Sequence, residues 1–465
     1  MGDDAFDSCV MPNQLLHGEA IWGGGTNYLL YLLFLATYDV LGFGVTIASA
    51  VSYIAFSISI AALATAIFRC FGSVASILFF LVTTLSYPFI FHSIFAAATI
   101  WAVVPTAIVL ALLMIKPTAV SLSLAMFVAV FSVLFYPGAI LTCAPLLGLH
   151  IIFFRERWRS KRSLWATCCL VIGVLAVFLI RQSVQTPNDN VLQWAGGFMR
   201  MEHWWESVKV VLNDMFWKST SWNTLNYNVP YVEPALLGFV SAGLISWCLS
   251  LRRNSKEAPE HIRWIVILVL SALASVLLSG FAWPYPGVRR VFGSVLLLNV
   301  AAALACRINI KRIYSIPLVV ATALVLILIG LRSTVLINKH WPLAGPSHYV
   351  DTARSYFLSN QESNKIVLIT AYNVDQFRAQ HYRCALELDA RISNSFEDVQ
   401  VIPRAQLVER TRALQGRGVI FLANETFSIE EIEKMFSWGQ VSINHIQDCP
   451  RARANAICDI FIIEE

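Results

Sequence analysis

The chain has 465 residues, 57% of them hydrophobic and 14% charged, with a mean hydropathy of +0.63 and a formal net charge of +5. Soluble domains carry roughly 25% charged residues, so this composition excludes an ordinary water-soluble enzyme and indicates a polytopic membrane protein. The small positive charge requires no nucleic-acid partner, because Lys and Arg gathered on one side of a bilayer account for it.

Residues 1–26 are polar and begin acidic, so no cleavable signal peptide is expected. Asp3 and Asp4 adjoin, and their repulsion holds one proton more tightly. Paired carboxylates beside a bilayer can orient an acceptor hydroxyl and take its proton. They can also hold a divalent cation such as Mg or Mn against a phosphate, with Asp3 as the candidate metal ligand. The alternative is that both acids are solvated and idle. The apolar run 27–42 carries Asp39 and is shorter than the ~20 residues a span needs. It reads as a helix at the interface or entering obliquely. An acid at membrane depth is functional by default, although an interfacial position eases its solvation.

Spans are expected near 45–68, 73–91, 93–115, 118–136, 137–154, 164–181, 235–251, 264–282, 291–306 and 314–331. Cationic clusters orient them. Arg155, Arg157, Arg159, Lys161 and Arg162 form one, Arg252, Arg253, Lys256 and Arg263 a second, and Arg307, Lys311 and Arg312 a third. Arg69 and Lys116 mark two tight turns. With a surface-lying first helix, all of these fall in the cytoplasm, and Asp3, Asp4, the loop 182–234 and the C-terminal tail fall outside. If 27–42 crossed fully, the two acids would move inside. Cys70, Cys143, Cys168, Cys169, Cys248 and Cys306 lie in or beside apolar segments and read as packing residues, with no metal-ligand spacing. An extracytoplasmic tail would allow one disulfide among Cys384, Cys449 and Cys458.

The outer loops hold the remaining candidates. His92, in the short turn 86–93, either hydrogen-bonds a sugar or phosphate or is an idle interfacial ring. Loop 182–234 is rich in Trp and Tyr, and Met199 to Trp217 reads as an amphipathic helix on the membrane, either a lid or an anchor. The turn Trp283-Pro284-Tyr285-Pro286-Gly287 leads into Arg289 and Arg290. Cations on the outer face run against the positive-inside trend. They either bind a phosphate through their planar donors or snorkel to lipid headgroups.

Residues 333–465 turn mixed polar. Helical patterning at 348–359 and 375–388, strands at 365–370, 418–422 and 457–463, a helix at 404–414 and a capping box at Ser428-Ile429-Glu430-Glu431 suggest a small α/β domain. The expected organisation is therefore an all-α membrane domain, 1–332, with about ten spans and outer loops 1–44, 86–93, 182–234 and 282–290, followed by an extracytoplasmic α/β domain, 333–465. No nucleotide loop, nucleophile motif or internal repeat stands out.

Asp3-Asp4-Ala5-Phe6, then Gly18, then Thr26-Asn27-Tyr28-Leu29-Leu30 resembles the first outward loop of GT-C membrane glycosyltransferases, including arabinosyl- and mannosyltransferase-like members. Ala66-Ile67-Phe68-Arg69-Cys70-Phe71-Gly72-Ser73 resembles their short cytoplasmic turn after the second span. The layout is also similar to serotype-converting, O-antigen-modifying glucosyltransferases, although their second outer loop often carries an acid where this chain offers His92. The likeness covers the first third well and the rest by layout. GT-C enzymes place a span before the Asp-Asp loop, so that span is either absent here or the start codon is assigned too late.

The resemblance implies transfer of one sugar from a polyprenyl-phosphate donor, at the outer face of a bacterial inner membrane, to a lipid-linked or polymeric glycan. Asp4 would be the base and Asp3 its neighbour. Arg289 and Arg290 would hold the lipid phosphate, and His92 and Asp39 would contribute to substrate binding. The rivals are a lipid-glycan flippase, an O-antigen polymerase or ligase, and a scaffold presenting the outer domain. A flippase would want polar residues lining several spans, and these spans nearly lack them.

Overall fold

The computed structural model describes residues 28–41, 45–94, 99–115, 118–158, 161–184, 203–217, 230–233, 236, 238, 240–241, 260–281, 288–312, 316–344, 366–371, 399–403, 407–414, 419–423, 428–445 and 459–464. Twelve helices precede the strands among these residues: α1 Tyr28–Leu41, α2 Val45–Phe71, α3 Ser73–Leu85, α4 Tyr87–Ile94, α5 Ile100–Met114, α6 Ala119–Phe135, α7 Ala139–Phe153, α8 Lys161–Val184, α9 Trp204–Phe216, α10 Glu260–Ser279, α11 Phe292–Arg312 and α12 Ile316–Ala344. One-turn helices cover Arg155–Trp158 and Val288–Val291.

Among the described residues two helices, Ile47–Phe71 (25 residues) and Glu260–Ser279 (20 residues), are long and apolar enough to cross a membrane, by length and composition. A third crossing results if the pair Ser73–Leu85 and Tyr87–Ser93 counts as one span bent by 65°. Shorter apolar helices stand at Ile100–Met114, Ala119–Phe135, Ala139–Phe153, Trp165–Ile180, Phe292–Ala305 and Thr322–Ile337. At 1.5 Å per residue, a helix of about 15 residues reaches ~22 Å against a ~30 Å hydrocarbon core. Among the described residues, helix length alone therefore gives two or three full crossings, and most of the expected span 235–251 lies outside those residues.

The expected span 73–91 is broken at Ser86, whose ψ of 125° is extended. Pro88 explains the break, because it has no N–H to donate to the carbonyl of Thr84. The α1 helix matches the run 27–42 and buries Leu30, Tyr31, Phe34 and Tyr38 while leaving Asp39 exposed.

Two helices carry the core. The α5 helix is apolar on nearly every side and almost wholly buried, and α11 is buried from Phe292 to Ala305. A helix apolar all round belongs at the centre of a bundle. The two meet closely at Gly293, where an added Cβ would strike Thr106 Oγ1 and come within 3.2 Å of the Ala102 carbonyl oxygen. The outer helices expose apolar side chains in rows: Ile54 and Ile58 on α2, Ile172, Leu175 and Leu179 on α8, and Leu324, Ile327, Leu328 and Leu331 on α12. So large an exposed apolar surface is tolerated against lipid and not against water.

The cationic turns gather at one end. Arg157 pairs with Glu260 at 2.6 Å and Arg263 with Glu156 at 3.9 Å. Cys70 donates to the Met114 carbonyl at 3.0 Å, which joins the ends of α2 and α5 there.

The C-terminal residues form a five-stranded sheet of β1 Ile366–Ala371, β2 Val399–Pro403, β3 Val419–Ala423, β4 Gln440–His445 and β5 Asp459–Glu464, in the order β2-β1-β3-β5-β4. β1 runs parallel to β2 and β3, and β5 antiparallel to β3 and β4. Helix α13, Leu407–Arg412, lies on the crossover from β2 to β3, which a parallel connection requires. Ser428 and Glu431 cap α14, Ile429–Met435, reciprocally. The local core is Leu414, Val419, Phe421, Ile432, Phe436, Phe461 and Ile463. The sequence reading leaves β2 and β4 unassigned, and α12 runs through the boundary drawn between 332 and 333. The expected helices at 348–359 and 375–388 and Cys384, Cys449 and Cys458 lie outside the described residues.

Replacing Gly293 by Val should destabilise the bundle by on the order of 1–3 kcal/mol through overpacking. Gly148→Ala should leave stability unchanged or raise it, since nothing lies within 4 Å of its added Cβ. Melting of the two variants in detergent checks the contrast.

Candidate functional site

The end of the bundle opposite the cationic turns carries a cluster built around one short segment, residues 230–233. Its backbone docks on the C-terminus of α9, where Tyr231 N–H donates to the Asp214 carbonyl at 3.2 Å and Val232 N–H to the Met215 carbonyl at 2.9 Å. This amphipathic helix lies within the expected stretch Met199 to Trp217. Trp204 anchors its start by donating to the Leu277 carbonyl at 3.0 Å, and its ring fills the space that Gly280 leaves. Lys209 pairs with Glu206 at 2.7 Å on the exposed side.

The Tyr231 hydroxyl lies 2.9 Å from His92 Nε2. His92 itself is buried and sits edge-on to Phe292 at 5.1 Å, while Tyr231 meets Phe292 at 5.5 Å. The break at Ser86 is what turns α4 so that His92 faces Tyr231 and Phe292. Phe292 opens α11 directly after the one-turn helix that holds Arg289 and Arg290. That turn is pressed against Gly138, where an added Cβ would collide with the Arg290 carbonyl oxygen and the Tyr136 ring. Arg290 is half-buried.

Two further charged residues belong to this end. Glu233 follows Tyr231 by two positions and accepts from Arg332 Nη1 at 2.8 Å through Oε2. Burial raises the Glu233 carboxyl above its ordinary value, and Arg332 opposes that shift. Arg332 is placed by its neighbour Ser333, whose hydroxyl donates at 2.5 Å to the Leu85 carbonyl at the helix break.

Of the residues singled out in the sequence, His92 and Arg290 come to this cluster, and Arg289 shares the turn of Arg290 with its side chain undescribed. Asp39 is exposed near the end of α1. Asp3 and Asp4 lie outside the described residues. Among the described residues no group of three or more His, Cys, Asp or Glu could hold a metal ion. Glu233 and Arg332 were missed, although both carried a signal. Glu233 is an acid between Pro230 and Pro234 at the mouth of an apolar run, and Arg332 is a cation just past the expected span 314–331, on the side where the sequence reading also puts Arg289 and Arg290.

A bundle of apolar helices followed by a mixed sheet defines a helical membrane-type fold. It is similar to that of ArnT from Cupriavidus metallidurans bound to undecaprenyl phosphate, at 12% sequence identity and a TM-score of 0.55, with 100% of this chain and 93% of that chain covered. ArnT from the same organism in the apo state aligns at 13% identity and a TM-score of 0.46 over 100% and 93% of the two chains. No family model and no curated protein matches the sequence.

Because folding raises the Glu233 value, the folded state binds more protons than the unfolded state above the ordinary carboxyl pKa of 4.5. The stability this residue contributes should be complete below 4.5 and fall as pH rises through the raised value. Melting curves of wild type and Glu233→Gln against pH should show the decline only in wild type. Tyr231→Phe should cost about 1 kcal/mol by removing the partner of His92, read in the same melts.

Proposed function

We propose that the chain is a membrane glycosyltransferase that moves one sugar, a hexose such as glucose, from a polyprenyl-phosphate donor to an extracytoplasmic glycan such as O-antigen, inverting the anomeric carbon. The likeness of fold over the whole chain to a protein solved with undecaprenyl phosphate bound carries this reading. A sugar already linked to a membrane lipid needs no nucleotide loop at the outer face, which agrees with the sequence. The protein is assigned to a bacterial inner membrane with about ten spans and an interfacial first helix. The site and the C-terminal α/β domain are assigned to the periplasmic side.

The Asp4 carboxylate takes the proton of the acceptor hydroxyl. That oxygen bonds to the anomeric carbon on the face opposite the phosphate. The bond from this carbon to the phosphate oxygen breaks, and polyprenyl phosphate leaves with the electron pair. Arg289 and Arg290 neutralise the charge that grows on it through charge-assisted hydrogen bonds. Asp3 flanks the base, and a divalent cation such as Mg or Mn would find its ligand there, although no step above depends on one. His92 and Asp39 are assigned to substrate binding, His92 through the Tyr231 hydroxyl it adjoins.

Membranes holding wild type should move radiolabelled sugar from a panel of polyprenyl-phosphate sugars to glycan. Asp4→Asn should lose about 10²- to 10⁴-fold of that rate at unchanged expression. Full transfer by Asp4→Asn would remove Asp4 as the base. Transfer from no donor by well-folded wild type would return the reading to a polymerase, ligase or flippase.

A further inference from the structure

Glu233 is only 5% exposed, and only one of its two carboxylate oxygens is satisfied. Oε2 accepts from Arg332, whereas Oε1 is buried with no hydrogen-bond partner among the described residues. A buried carboxylate oxygen without a donor is costly, and native structures keep one where a ligand or an ordered water supplies the donor.

The surroundings narrow the donor. Arg332 already compensates the carboxylate charge, so an ammonium gains little and a neutral hydroxyl fits. An anion is disfavoured, because Oε1 offers only lone pairs. The location is equally informative. Glu233 lies two residues past Tyr231 and Arg290 two residues before Phe292, so both charges belong to segments whose rings meet at His92.

We propose that Glu233 and Arg332 form a sugar-hydroxyl subsite, in which Glu233 Oε1 accepts a hydrogen bond from a ring hydroxyl of the lipid-linked donor. Arg332 is the positioning residue that orients the carboxylate from its other oxygen, and Ser333 fixes Arg332 against the helix break. The inference rests on the glycosyl-transfer reading and adds the group that distinguishes a sugar-bearing lipid from the bare phosphate.

The test uses the full chain in nanodiscs, titrated with polyprenyl phosphate and with polyprenyl-phosphate glucose. Wild type should prefer the glucose-bearing lipid by about tenfold or more, the worth of one hydrogen bond to a charged group. Glu233→Gln should lose most of that preference, keep its affinity for the bare lipid, and raise KM for the donor with little change in kcat. Glu233→Asp should recover part of the preference. A Glu233→Gln variant that keeps the full preference would overturn the subsite and leave glycosyl transfer standing. Wild type that shows no preference and transfers no sugar would overturn both. A panel of monodeoxy-glucose donors tests the subsite on wild type alone and covers a variant that fails to fold. One deoxy position should abolish the preference, and equal binding of every congener would remove the proposal.

Discussion

The bilayer offers no water to an unpaired backbone group, and the half of this bundle opposite the cationic turns is arranged around one place where that rule is strained. Pro88 interrupts the ladder after α3, which frees carbonyls that a continuous helix would satisfy. The Leu85 carbonyl is recovered by a hydroxyl from another helix, Ser333 on α12. That single bond sets where α12 passes the break, and with it where Arg332 stands. A straight span at 73–91 would remove both the turn that aims His92 and the reason for Ser333 to approach. Several other buried hydroxyls close on their own helices, as Ser275 does on the Ser271 carbonyl and Thr106 on that of Ala102.

The two ends of the bundle use charge differently. The cationic end is held by partly exposed pairs, Arg157 with Glu260 and Arg263 with Glu156. Such pairs contribute roughly 0–1 kcal/mol each, and their value lies in joining neighbouring helix ends. An aromatic group of His150, Phe154, Trp158 and Trp264 packs behind them, with Trp158 donating to His150 Nδ1 at 2.9 Å. At the opposite end the Glu233 carboxylate is buried and Arg290 half-buried, while Arg332 is partly exposed. A carboxylate set in such surroundings is sensitive to what fills the space beside it, because low local polarity strengthens each hydrogen bond and penalises each missing one.

In the proposed reaction this contrast suits the end that holds His92 and Glu233 to binding the donor. Arginines with planar donors suit a phosphate, a buried acceptor suits a hydroxyl, and packed rings keep water away from both. In the proposed reaction the N-terminal carboxylates supply the base, while the described cluster binds and orients. The division is physically reasonable: orientation needs rigid packing, which helix ends and bonded turns provide.

Much of the helical layout was legible in the sequence, because hydropathy and chain breaks act over a few consecutive residues. The runs that became α1, α2, α5, α6, α7 and α10, the amphipathic α9, the strand β3 and the capping box at Ser428 all follow from local side-chain chemistry. The arginine turn was also visible, since cations on the side expected to face outward contradict a simple topology rule. β2 and β4 were not assigned, being short and interrupted by polar residues, which leaves pairing with a neighbouring strand to decide them. The pairing of His92 with Tyr231 spans 139 residues and that of Glu233 with Arg332 spans 99. Neither partner's local sequence names the other. Those contacts exist only because α4, α9, α11 and α12 pack at one end, so the residues that could touch a substrate were decided by tertiary structure, while the sequence by itself determined which stretches would lie in lipid.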